Sequence, residues 1–138
     1  MRKAIASLGV LGLAVVLAAQ TAYQPKFKGD PARSDAEFLA LGYLRPVIRA
    51  QNQYKKMRGK YATSLMELAG HGSFTKRMAK STDRGDYVAH FRPTKDGYSI
   101  TLIPKQFASD HRAFYAEEDG KIRVEEDKPA GPKSPLLK

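Results

Sequence analysis

The hydrophobic period of this chain changes once, from helical to alternating, and that change limits it to a helix laid against a sheet. Phe38, Leu41, Leu44, Ile48, Gln51 and Tyr54 step by three or four, as one buried helical stripe does. Upstream, Ser34-Asp35-Ala36-Glu37 has the form of a capping box. The Ser34 hydroxyl accepts from the Glu37 amide while the Glu37 carboxylate reaches back to the Ser34 amide. Asp35 and Glu37 also suit the positive end of the helix dipole. Arg58 and Gly59 close the pattern, because glycine relieves the left-handed turn that ends a helix. The spacing predicts one helix over Asp35 to Arg58. Pro46 lies inside it, removes one amide, and predicts a bend near Gly42 to Leu44.

A second capping pattern, Ser64-Leu65-Met66-Glu67 closed by Gly70, predicts a short helix of about two turns. A further helical turn is expected around Thr75 to Lys80. The period then becomes two. Tyr87-Val88-Ala89-His90-Phe91 and Tyr98-Ser99-Ile100-Thr101-Leu102 alternate across Asp96-Gly97, a hairpin signal. Ala113-Phe114-Tyr115-Ala116 and Lys121-Ile122-Arg123-Val124 form a second pair, with Gly120 able to take the positive φ of a tight turn. Tyr87, Ala89, Phe91, Tyr98, Ile100 and Leu102 are expected on the face that meets the helix. The fold class that follows is α+β: a long N-terminal amphipathic helix on a four-stranded antiparallel sheet.

The ends are read from composition. Met1-Arg2-Lys3 is basic, Ala4 to Ala19 is apolar, and small residues follow at Ala18, Ala19 and Ala22. That order is a secretory signal peptide over residues 1–22, or a signal anchor if it stays uncleaved. The mature chain is expected to begin between Ala19 and Tyr23, and to be periplasmic or secreted, membrane-anchored only if the segment is kept. Pro25, Gly29 and Pro31 predict an extended linker over 23–33. The α+β domain takes 34–127, and 128–138, with Pro129, Pro132 and Pro135, reads as a mobile tail. With no Cys, neither disulfides nor a lipidated Cys are available.

Net charge is +10, with +8 left once Arg2 and Lys3 are set aside. The excess gathers on the first helix, where Arg45, Arg49, Lys55, Lys56 and Arg58 fall largely off the apolar stripe. This flank is either a contact surface for nucleic acid, lipid headgroups or an acidic protein, or a solvated helix face. Glu117, Glu118 and Asp119 form a carboxylate cluster that could hold calcium, although it lacks the alternating ligand spacing of a dedicated loop. His71 and His111 read as solvated loop residues and His90 as a strand-face histidine. No Cys joins them and no His-x-x-x-His appears, so no metal or other cofactor is expected. No Gly-x-Ser-x-Gly elbow or phosphate-cradling loop appears either, and a non-enzymatic protein is expected.

Several runs resemble the head of type IV pilin-like and type II secretion pseudopilin-like proteins. Ala40-Leu41-Gly42-Tyr43-Leu44-Arg45 through Gln51-Asn52-Gln53-Tyr54, then Gly59-Lys60-Tyr61-Ala62-Thr63-Ser64-Leu65-Met66-Glu67-Leu68, is similar to that family's head helix and its Tyr-Ala-x-Ser-Leu-x-x-Leu segment. Asp96-Gly97-Tyr98-Ser99-Ile100-Thr101 and Arg112-Ala113-Phe114-Tyr115 with Asp119-Gly120-Lys121-Ile122-Arg123 resemble its hairpins. The likeness covers Asp35 to Glu125; the Gly-ended leader followed by Phe-Thr-Leu-Ile-Glu of a prepilin does not occur in Met1 to Ala22. The resemblance implies protein–protein contact with secretion or pilus components of the cell envelope, or with further copies of the same chain, rather than catalysis.

Overall fold

The computed structural model describes residues 22–138; the expected export signal, Ala22 apart, lies outside the described residues. Helix α1 runs Asp35–Arg58 without interruption through Pro46 and ends on Gly59, whose φ of 77° is left-handed. Helices α2 (Leu65–Leu68) and α3 (Lys76–Lys80) follow, the latter capped by Thr75. Strands β1 (Asp83–Arg84), β2 (Tyr87–Pro93), β3 (Tyr98–Pro104), β4 (Ala113–Glu117) and β5 (Ile122–Glu125) form one antiparallel meander in chain order. The α+β class stands. The sheet has five strands rather than four, because Asp83 and Arg84 pair with Val88 and Tyr87. Two residues are too few to show an alternation. Among the described residues no helix is long and apolar enough to cross a membrane.

The helix buries more than one stripe. Leu41, Leu44, Ile48, Gln51 and Tyr54 are buried as expected, Phe38 is half-buried, and Ala40, Tyr43, Val47 and Ala50 are buried besides. The extra width comes from the α2–α3 region: Tyr43 meets Phe74 edge-on at 5.8 Å and its hydroxyl donates to the Met78 carbonyl at 3.2 Å. The sheet supplies Tyr87, Ala89, Tyr98, Ile100 and Leu102, all buried, with Phe91 half-buried at the margin. Gln51 sits in this core at no polar cost, since its amide pairs with both the carbonyl and the amide of Ala62. Buried polar atoms must be paired this way.

Both capping boxes form with one change. Ser34 and Ser64 accept from the Glu37 and Glu67 amides as predicted. The carboxylates, however, reach one residue further back, to the amides of Arg33 and Thr63 at 2.9 Å each. Gly97 also differs in role from Gly120. Gly120 takes φ 74° in the β4–β5 turn, whereas Gly97 has no positive φ, and a Cβ there would only push aside the exposed end of the Glu118 side chain.

Two composition-based expectations are corrected. Residues 23–33 are neither helix nor strand, but they are a compact turn and not an extended linker. Asp30 gathers the amides of Lys26 and Ala32 and the Tyr23 hydroxyl, and Lys26 pairs with Asp35 of α1 at 3.0 Å. Residues 128–138 are laid along β5 and not free. The Val124 amide donates to the Pro135 carbonyl, and the Leu137 amide to the Ile122 carbonyl. Ala130 and Ser134 are buried. Prolines removed donors from this tail, but edge pairing uses only alternate backbone groups, and those are the ones present.

Candidate functional site

The basic flank of α1 is built by helix geometry. Arg45, Arg49 and Lys56 fall on one line, since steps of four and seven residues return to nearly the same angle. Arg45 is half-buried; Arg49, Lys55, Lys56 and Arg58 are exposed. Arg49 donates to the Ser73 hydroxyl at 3.2 Å. Lys55 and Arg58 leave that line in the last turn. Lys55 caps the Gly59 carbonyl at 3.0 Å and lies 5.3 Å from the Tyr61 ring centroid. The Arg58 guanidinium lies 5.8 Å from that of Tyr54. Among the described residues none of the five is ion-paired with a carboxylate. The flank is therefore cationic without internal neutralisation, although two of its cations rest on tyrosine rings, contacts that contribute modestly at exposed sites.

At the other end of the same helix a charge does the opposite job. Glu37 is fully buried and binds Arg112 with both oxygens, at 2.7 Å to Nη2 and 3.0 Å to Nε. It also accepts from the Arg112 amide at 2.9 Å. Arg112 spends its remaining reach on the Pro31 carbonyl at 2.9 Å. This forked pair joins the first turn of α1 to the start of β4, and its lone pairs and protons are largely satisfied, as a buried ion pair requires. Sequence reasoning saw Glu37 only as a cap. Its partner stands 75 residues away, beyond any local pattern.

His111 corrects the expectation of a solvated loop histidine. Its Nδ1 lies 2.8 Å from Asp110 and its Nε2 2.9 Å from Asp86, and its ring stacks on Tyr87 at 6.1 Å. Burial alone would lower its pKa, yet the two carboxylates outweigh that and hold it above the ordinary histidine range. The Asp110 carboxyl is lowered in return, chiefly by its hydrogen bond to His111. With both ring nitrogens engaged, His111 is a clamp between the β3–β4 loop and the β1–β2 turn rather than a free proton carrier.

The carboxylates of the β4–β5 turn diverge. Glu117 accepts from the Tyr115 hydroxyl, Glu118 from the Tyr98 amide, and Asp119 from the Lys121 amide. Among the described residues no three His, Asp or Glu side chains stand together to hold a metal, and the calcium candidate has no converging ligand set. His71 is half-buried against Tyr54 at 5.3 Å, and His90 is exposed on β2. No family model, curated protein or solved structure matches the chain.

Proposed function

We propose that this is an exported, non-enzymatic protein with a pilin- or pseudopilin-like head, acting by protein–protein contact in the cell envelope at a secretion or pilus system. The observation that carries the reading is the basic flank of α1: five cations on one helix with no carboxylate partner among the described residues. Exposed charges add little to folding, so their concentration there is better explained by what they meet than by what they hold together. The helix-on-meander architecture supports the head resemblance, and fold alone does not carry function. The partner that fits is an acidic protein surface. A second reading, a module for an anionic ligand such as nucleic acid or lipid headgroups, draws on the same cations. A binding constant that falls steeply with salt on a purified polyanion, with no protein partner needed, would favour it.

The test is capture from envelope fractions with the wild-type chain and with the Arg49→Glu/Lys56→Glu variant. The variant is expected to lose the acidic partners while keeping its fold. Recovery of the same partners by both would reduce the flank to a solvated surface. The export half of the reading is tested separately by N-terminal sequencing, which should find a start between Ala19 and Tyr23; Met1 intact on cytosolic protein would end it.

A further inference from the structure

We infer that the outer edge of β5 is a docking site for an extended, acidic segment of a partner protein, and that residues 128–138 are a removable strap across it. The surface is separate from the basic flank of α1. An edge strand offers unpaired amides and carbonyls to any chain that lies beside it, and here the strap takes them up sparingly. Only the Val124 amide and the Ile122 carbonyl are used, by Pro135 and Leu137, with one bridge between Arg123 and Leu136. The side-chain hold is equally local. Ser134 Oγ donates to Glu125 at 2.7 Å and accepts from the Gly131 amide at 3.0 Å, while Leu137 is only half-buried.

The fit is also incomplete. Arg123 of β5 gives Nη1 to the Ser134 carbonyl at 2.9 Å, and Nη2 stands 3.9 Å from Asp119. Its Nε is buried with no acceptor. A buried donor without a partner is a cost that native structures seldom leave. The strap as it lies offers Nε no acceptor, and the charged side chains of residues 128–138 are Lys128, Lys133 and Lys138, with no Asp or Glu among them. An incoming strand with an apolar residue in the place of Leu137 and a carboxylate facing Arg123 would restore the same ladder and supply the missing acceptor. Strand addition of this kind takes its affinity from the backbone and its specificity from such side-chain matches. A chain whose site is mostly covered by its own strap binds more weakly by the fraction that is open, so loosening the strap should strengthen binding.

The experiment uses the full chain and two fluorescein-labelled peptides, one copying Lys128–Lys138 and one the same with Leu136→Glu, the position that faces Arg123, followed by anisotropy. Leu137→Asp is expected to bind either peptide about tenfold more tightly than the wild-type chain. Ser134→Ala, a milder change that keeps the fold, should shift binding in the same direction. The Leu136→Glu peptide should bind more tightly than the plain copy. Hydrogen exchange on the wild-type chain should find the Val124 and Leu137 amides opening well before that of Leu102 in β3. The inference is overturned if both chain variants fold yet leave peptide binding unchanged, or if Val124 is protected as long as Leu102. The Arg49→Glu/Lys56→Glu chain should bind the peptides like wild type, so failure here and failure of the basic flank are told apart.

Discussion

The two ends of α1 carry charge to opposite purposes. At the N-terminal end Glu37 is fully buried and locked to Arg112; in the C-terminal half Arg49, Lys56 and Arg58 are exposed and unpaired by any carboxylate among the described residues. The first cannot be removed without leaving an uncompensated charge in the core. The second can be altered with little effect on the fold. Burial, and not charge itself, decides which residues on one helix are structural and which are free to serve a partner.

The comparison is broken most forcefully at Glu37. Glu37→Ala leaves the Arg112 guanidinium, only 7% exposed, without its counter-ion, and should cost about 3–5 kcal/mol in urea unfolding. A loss under about 1 kcal/mol would mean the pair behaves like a surface bridge. Pro46 comes next, because it lies in the helix between the two regions and is itself buried. Pro46→Ala restores an interior amide but gives up ring packing, so a net gain of about 1–2 kcal/mol is expected. Strong destabilisation would show that the ring's packing dominates.

His111 gives a smaller, pH-dependent effect. Its pKa is raised in the folded state, so its contribution is complete below the unfolded value of about 6.5 and is lost as pH rises through the folded value. Asp86 and Asp110 are 65% and 53% exposed, and solvent screening therefore limits the contribution to about 1 kcal/mol or less. His111→Asn should remove the pH dependence that lies above the unfolded histidine value, and should also weaken the acid limb, because Asp110 loses the hydrogen bond that lowers its carboxyl. An unaltered slope above that histidine value would place the proton elsewhere.

What the sequence shows and what it hides divide along the same physical line. Asp35–Arg58, its Ser34 cap and its Gly59 stop are legible because every signal lies within a turn of the residue it governs. The paired strands are legible for the same reason, each hairpin being closed by its own turn at Asp96-Gly97 or Gly120. The Glu37–Arg112 pair, the Asp86–His111–Asp110 clamp and the strap on β5 join residues brought together only by the sheet. Nothing in local period or composition announces them. The strap misleads most, since Pro129, Pro132 and Pro135 suggest mobility, yet the three donors they lack are ones an edge pairing does not require. On the basic flank the five candidate residues are legible as a helical face, whereas their split into one line and a last turn seated on Tyr54 and Tyr61 depends on the fold.

The smallest expected change in stability is also the most telling about function. In the Arg49→Glu/Lys56→Glu chain the melting midpoint should stay within about 2 °C of wild type. Association with the acidic partner captured by the wild-type chain, titrated against salt, should be weakened and its salt dependence flattened. Unchanged affinity with an unchanged salt slope would contradict the central claim that the exposed end of α1 exists to meet a partner.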